Sequence, residues 1–437
     1  MEIWTPETSG YDDQRTGFQR RNPHRPARIF GATSAADIQE AVRYARDHGL
    51  RLAVQASGHG HTTPTDGVLL TTSGFAGVTV DPEQRSATIQ AGATWQQVVA
   101  ASTPYGLAPL SGSFPGVGAV SYTLGGGLGL MARKHGFAAD HVRRIDVVTP
   151  DGELRSLSPT GPGSDSPDDA ELFWALRGGG GNFGIVTELE IDLFEVATVS
   201  GGSLYYDLAT TPGVLETWRE WTTTVPDEVT SAVGVLVLPD IPAVPEPLRG
   251  KHIAQLQLCI LKDLETAEEL IAPLRALGDP VMDTFADLPY ADSARIFAEP
   301  EQPHGYRAQN ALLADLDPTA LATIPKLAGP EAPAMCVIGI RHLGGALSRE
   351  PEIPNAVGHR AAQYALTVLS PGDQDFTELH RSILEPWTPI GRQLNFSLGP
   401  LTADEVAEAY EPETLQRLKK LRAQLDPTGL LQPNHAL

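Results

Sequence analysis

The sequence predicts an α+β protein of two domains with a returning tail, on three observations. From about residue 30 to 200, short strand-like runs alternate with helical patterns and end in glycine turns. Past residue 200 the runs lengthen into a broad sheet pattern with helices between. After about residue 395 the pattern turns helical and closes on a terminal turn. The chain has 437 residues, room for about two domains at roughly 100–200 residues each. The expected division is 1–200, 201–394 and 395–437, the last segment rejoining the first.

Each element has a local reason. Residues 34–49 read as a helix: Ser34 and Asp37 make a capping-box-like start, Ile38, Ala41, Val42 and Ala45 form an apolar stripe, and Gly49 supplies the stop. Strands are expected at 51–56 and 68–71, around the loop Ser57-Gly58-His59-Gly60-His61. Asp81-Pro82-Glu83-Gln84 and Pro150-Asp151-Gly152-Glu153 sit between strand-like runs as hairpin turns. Helices are expected at 95–101 and 170–176, and a strand at 185–194. The loop Pro159–Asp169 is locally biased in composition. In the second half, strands are expected at 203–208, 231–238, 253–261, 308–315, 335–342 and 363–369. Helices are expected at 213–223, 264–277 and 318–327, then at 403–410 and 414–424.

Composition excludes several functions. Hydrophobic residues make up 41% and charged residues 20%, a globular profile. The formal net charge of −22 argues against nucleic acid, whose phosphates need clustered Lys and Arg, and more weakly against an anionic membrane surface. The two cysteines, Cys259 and Cys336, lie in apolar runs and read as core residues. There is no signal-like apolar segment and no run of about 18 apolar residues, so a cytoplasmic protein without membrane partners is expected.

Glycine carries the strongest local signal. Gly179-Gly180-Gly181-Asn182-Phe183-Gly184 matches G-x-G-x-x-G, but it follows a helix and opens a strand, the reverse of a dinucleotide-binding Rossmann turn. Together with Gly125-Gly126-Gly127-Leu128-Gly129 it makes two glycine clusters in one domain. Such clusters let a backbone approach a ligand and point N–H groups at it, and a pyrophosphate is a natural guest. Close packing of turns is the plain alternative. His59-x-His61 could hold half of a metal site, but no third ligand has a clear spacing, so no metal is expected.

Four segments in order resemble one family. VQASGHGH (54–61), FPGVGAVSYTLGGGLGLMARKHGFAADHV (114–142), ELFWALRGGGGNFGIVTELEIDLF (171–194) and the tail from LNFSLG (394–399) to LDPTGLLQPNHAL (425–437) are similar to motifs of FAD-linked oxidases. That family is the vanillyl-alcohol oxidase superfamily with its PCMH-type FAD-binding domain, and the nearest branch is the berberine-bridge-enzyme-like and 6-hydroxy-D-nicotine-oxidase-like one. The resemblance implies an FAD domain of two α+β subdomains and a substrate domain whose large antiparallel sheet, covered by helices, lies over the flavin.

Carried over by position, the resemblance implies a covalent flavin link at His59. The backbone at Gln55, Ala56, Ser57, Gly58 and Gly60 would cradle the pyrophosphate. Further FAD contacts are implied at Pro115, Gly116, Val117, Gly118, Thr123, Gly125, Gly126, Gly127, His135, Gly136, Asp140, Gly184, Val186, Asn395 and Asn434. Phe114 stands where many relatives carry a second, cysteinyl link, so a single link is expected. Gln55 replaces an arginine, and the tail ends Asn434-His435-Ala436-Leu437 where the family has a last asparagine. The resemblance also implies, from the valine at Val117, that O₂ is the acceptor.

The implied function is oxidation of a small-molecule alcohol or amine by hydride transfer to covalent FAD, with O₂ reduced to H₂O₂, in secondary metabolism by analogy with the branch. Tyr122, His342, Gln257 and Tyr364 are candidates for catalysis or substrate contact. The expected partners are substrate and O₂, in a monomer or homodimer. Two alternatives remain: a flavin-dependent oxidative or non-redox cyclase on the same fold, and a non-catalytic binding protein with a degenerate FAD site.

Overall fold

The computed structural model describes residues 1–159 and 166–437. The middle of the loop expected at 159–169 therefore lies outside the described residues.

The first sheet has four strands in the order Glu2–Trp4, Arg28–Gly31, Val68–Thr71, Leu52–Gln55. The last three are parallel, which requires a crossover. The helix Ala35–Asp47 supplies it. Ser34 caps its start by accepting from the Asp37 N–H, and Ile38, Ala41, Val42 and Ala45 are all buried. They pack on Phe30, Val68 and Leu70. Burying side chains such as Ile38 and Val42 stabilises this layer by about 1.5–3 kcal/mol each.

A second, antiparallel sheet runs Val78–Asp81, Ser86–Gln90, Ile185–Asp192, Val142–Val148, Leu154–Leu157. Val148 and Ile185 join it to the core of the first, and so do Leu430 and Leu431 from the chain's end. The Leu52 N–H donates to Leu430 O, and Gln432 N–H to Leu52 O. The tail thus pairs with the edge of the first sheet, immediately before the His59 loop.

The third sheet has nine antiparallel strands. Its central members are Thr198–Asp207, His252–Ile260, Val229–Val237, Val337–His342, Tyr364–Pro371 and Tyr306–Leu313. Side chains alternate between its two faces. One face meets the helices Val214–Thr222 and Leu264–Arg275 through Trp218, Trp221, Ile271, Leu256, Ile338 and Leu366. The other faces the glycine-rich loops of the first half and leaves a cavity between.

The α+β architecture with a large antiparallel sheet holds, and local expectations differ from it at several elements, among them the following. The helix expected at 318–327 is two short ones, Pro318–Leu321 and Ile324–Leu327, because Pro325 has no N–H to continue the first. The helix Ala119–Leu124 forms inside the glycine-rich stretch, where no helix was expected. It is one turn and a half of mostly buried residues, too short to show a period. The helix Thr377–Leu384 also had no sequence expectation, although its buried face of Leu379, His380 and Ile383 is amphipathic.

One buried cation fastens the helix before the second glycine cluster to the loop at 353–354. Arg177 is 1% exposed. It stacks on Phe173 at 4.2 Å and donates to the carbonyls of Ile353 (3.2 Å), Pro354 (2.6 Å) and Phe173 (3.3 Å). Arg177→Met removes these donors and strands the buried carbonyls. We expect a loss of about 2–4 kcal/mol, read as a lower denaturant midpoint against Arg417→Met at the more exposed cation that stacks on Trp174.

Candidate functional site

A cavity of about 1280 Å³ separates the large sheet from the glycine-rich loops. Its walls come from segments far apart in sequence: the loop after Leu52–Gln55, residues 112–128, residues 178–186, the sheet face, and the tail from Leu394 to His435.

The loop holding His59 is placed by backbone contact. Gly58 has φ of +70°, and a Cβ there would lie 2.6 Å from the Gly17 Cα. The two chains can approach because both residues are glycine. Phe18 N–H then donates to Ser57 O at 2.9 Å, and Gln19 N–H to Gly58 O at 3.1 Å. Gly118 N–H donates to Ser57 Oγ at 3.2 Å, which ties this loop to the next.

His59 lies between aromatic rings. Phe18 stacks on it at 3.8 Å and Phe114 is tilted at 4.9 Å. Tyr306, from the large sheet, donates its hydroxyl to His59 O at 2.8 Å. Burial, and secondarily the nearby His304, hold the imidazole pKa down at about 4, so the ring is neutral near pH 7. Its Nδ1 is buried without a partner. His61 turns elsewhere: its Nε2 meets Asn22 O at 2.7 Å and its ring packs on His24 at 4.0 Å.

The tail closes the same region. Asn434 accepts from Thr62 N–H and, through its backbone carbonyl, from the Thr62 hydroxyl. Asn182, between the second glycine cluster and Phe183, donates to Gly179 O and His435 O and accepts from Leu437 N–H. Asn395 donates to Tyr122 O at 2.9 Å.

Of the residues expected at the site, Gln55, Ala56, Ser57, Gly58, His59, Gly60, Val117, Tyr122, Gly125, Gly184, Val186, Gln257, Asn395 and Asn434 line the cavity. Several others do not, for identifiable reasons. Pro115, Gly116 and Gly118 lie behind the wall: a Cβ on Gly116 would meet the Phe114 ring at 2.4 Å, and one on Gly118 would meet the Ala56 Cβ at 3.3 Å. Thr123 is buried and bonds back to Ala119 O. Gly126 and Gly127 pack against Val357, Phe137, Tyr122 and Ala138. His135 packs on Phe194, Gly136 adjoins the Asp140 carboxylate, and Asp140 is taken up by Arg360 and Asn355.

Two catalytic candidates also lie away from the cavity. His342 and Tyr364 pair across strands Val337–His342 and Tyr364–Pro371, on the face turned from the cavity. His342 Nε2 meets Arg133 at 2.9 Å, and the Tyr364 hydroxyl shares a 2.7 Å bond with Thr222. Tyr122 remains at the cavity wall. Its hydroxyl is buried and unpartnered, and burial pushes its pKa far up, so it stays protonated.

Sequence reasoning missed Phe18, Tyr306, Glu299 and Arg341, all of which line the cavity. The strand bearing Tyr306 was expected to start two residues later. Glu299 follows Ala298, whose φ of +50° leaves no mark in the sequence.

The comparisons fit this geometry. Residues 26–158 match the family model described as FAD binding domain. Along nearly its whole length the chain is similar to FAD-linked oxidases of the berberine-bridge-enzyme-like and 6-hydroxy-D-nicotine-oxidase-like kind, and it is an FAD-dependent oxidoreductase. It is 28% identical to (R)-6-hydroxynicotine oxidase of Paenarthrobacter nicotinovorans, over 99% of this chain and 96% of the relative. It is 26% identical to xylooligosaccharide oxidase of Thermothelomyces thermophilus, over 98% and 88%. The crystal structure of 6-hydroxy-D-nicotine oxidase from Arthrobacter nicotinovorans superposes with a TM-score of 0.82 at 26% identity, covering 98% of this chain and 96% of that one.

The Gly17–Gly58 contact makes a direct prediction. Gly58→Ala adds a Cβ both at positive φ and against the Gly17 backbone, so it costs about 1–3 kcal/mol or more. The thermal midpoint should fall, and proteolysis should open the chain near Arg15 or Arg20, whereas Gly181→Ala, whose Cβ meets nothing within 4 Å, should leave both unchanged.

Proposed function

We propose that this protein is an oxidase that bonds FAD through His59, oxidises a small-molecule alcohol or amine in the cavity, and passes the electrons to O₂. The observation that carries the reading is His59 itself. It is a neutral imidazole with an unpartnered Nδ1, held between Phe18 and Phe114 on the wall of a large cavity.

The residues present fit the group. Among the described residues, the backbone N–H groups from Ser57 to His61 donate to no other protein group, as a loop that cradles a pyrophosphate requires. Ser57, Gly58 and Gly60 on one side and Gly179, Gly180 and Gly181 on another would face the phosphates. Among the described residues the cations that line the cavity are Arg295 and Arg341, neither of them on the glycine-rich loops, so on the loop side backbone dipoles would meet the phosphates' charge. Gly125, Gly184, Val186, Asn395 and Asn434 would bound the rings of the cofactor. Phe114 occupies the place of a second, cysteinyl link, which leaves His59 as the one attachment.

When bound, FAD supplies a two-electron acceptor whose reduced form O₂ can reoxidise, so that an alcohol and O₂ give a carbonyl and H₂O₂. The chain's own groups do the rest. Tyr306, Gln19 and Phe18 hold His59 in place. Tyr122 keeps its proton and can donate a hydrogen bond. Glu299 and Gln257 present a carboxylate and an amide to the substrate space. The sheet lies on one side of that space and the tail on the other.

The test is made on purified protein precipitated with acid. Yellow colour should stay in the pellet for the native chain and leave with the supernatant, or be lost, for His59→Ala. In a screen of alcohols and amines, the active substrate should release one H₂O₂ per O₂ consumed. A native protein that gives up its colour to the supernatant, or turnover without peroxide, would contradict the proposal.

Tyr306→Phe provides a graded check. Loss of one hydrogen bond to His59 O costs about 0.5–1.5 kcal/mol, so flavin attachment should be slower during maturation but reach the same final extent, measured by colour retained in acid pellets over time.

A further inference from the structure

Arg341 differs from the other interior arginines. Arg133 is taken up by Val229 O, Leu343 O, His342 and Asp227, Arg177 by three carbonyls, and Arg360 by Asp140. Arg341 lies on the cavity face of its strand, between the rings of Phe297 at 4.5 Å and Phe396 at 5.0 Å. Its one protein partner among the described residues is Ser113 Oγ, at 3.1 Å. A guanidinium has five N–H donors in a planar fork that matches a carboxylate. Among the described residues no carboxylate forms an ion pair with Arg341. Arg295 is the other guanidinium on this wall and Glu299 its carboxylate group among the described residues, and Glu299 favours the cation only at longer range.

Next to Arg341 the sheet has a bare shelf. Gly339, two residues back on the same face, pairs directly with Gly234 of the neighbouring strand. A Cβ on Gly339 would meet nothing within 4 Å, and one on Gly234 only Gln257 Nε2 at 3.7 Å. Glycine inside a strand is unfavourable relative to alanine, and it often marks a site where a ligand or another backbone approaches closely. Thr367, paired with Gly339, has a buried Oγ1 without a partner. The shelf is thus flat and open, with an unpaired cation at one end and unpartnered polar groups, Gln257 and Thr367, beside it.

We propose that Arg341 and Ser113 form an anion subsite that takes the carboxylate of the substrate, whose flat body lies on the shelf of Gly234 and Gly339. The inference rests on the reading of this cavity as the substrate chamber of a flavin oxidase, and it narrows the substrate class to flat alcohols or amines that also bear a carboxylate. A half-buried cation with no carboxylate partner carries a desolvation cost, and a ligand that brings the anion offsets that cost on binding.

The test titrates benzoate and its neutral counterpart benzamide into the purified full-length protein by calorimetry, with the visible flavin spectrum as a second readout. Benzoate should bind at least tenfold more tightly than benzamide. Arg341→Met should bring benzoate down to the level of benzamide while the flavin content per chain stays the same, and Arg341→Lys should recover part of the loss. Gly339→Val, which fills the shelf without touching the cation, should weaken both ligands. Equal affinity for the two ligands would overturn the proposal, as would a benzoate affinity indifferent to Arg341→Met. Loss of flavin together with benzoate binding in that variant would also overturn it, because the cation would then serve the cofactor. A colourless native protein would count against the flavin reading instead, since the calorimetric comparison does not depend on colour.

Discussion

The close approach of the Gly17 and Gly58 backbones fixes where His59 stands. With no side chain on either residue, Phe18 and Gln19 can bond to the His59 loop, and the Phe18 ring comes to rest on the imidazole. Gln19 continues the link into the large sheet by bonding both ways with Tyr306, whose hydroxyl returns to His59 O. One segment near the start of the chain therefore ties the glycine-rich loops to the sheet across the cavity. Burial of the imidazole follows from that closure, and burial keeps it neutral.

The two walls of the cavity play different physical parts. The loop side is rich in free N–H groups and glycine, and it suits an extended anionic cofactor. The sheet side is rigid, backed by a tryptophan- and leucine-rich core under two helices, and its alternating pleat offers one face to ligand. Rigid strands hold side chains more precisely than loops do. The residues that would discriminate among substrates, Gln257, Arg341 and Thr367, stand on that face, and the Gly234 and Gly339 pair leaves space among them.

Legibility in the sequence followed the range of the physics. The Ala35–Asp47 helix could be read because its cap and stripe are local. The six long strands of the large sheet could be read because burial imposes alternation, and most boundaries fell within a few residues. The His59 loop and the two glycine clusters stood out because their composition is unusual. What could not be read depends on distant partners. Tyr364 and Gln257 are both sheet residues, and only register places Gln257 in the cavity and Tyr364 against Thr222. Asp140 sits in a family-like motif, yet Arg360 and Asn355 claim its carboxylate. Arg341 is one of many arginines in sequence, and only the missing carboxylate partner sets it apart.

The attachment of FAD to His59 is tested most directly by peptide mass mapping of the native protein digested with trypsin, followed by fragmentation of the peptide that begins at Leu52. The account predicts the mass of one flavin on that peptide, with the fragments placing it on His59 and leaving His61 unmodified. An unmodified peptide, or a flavin located on His61, would contradict it.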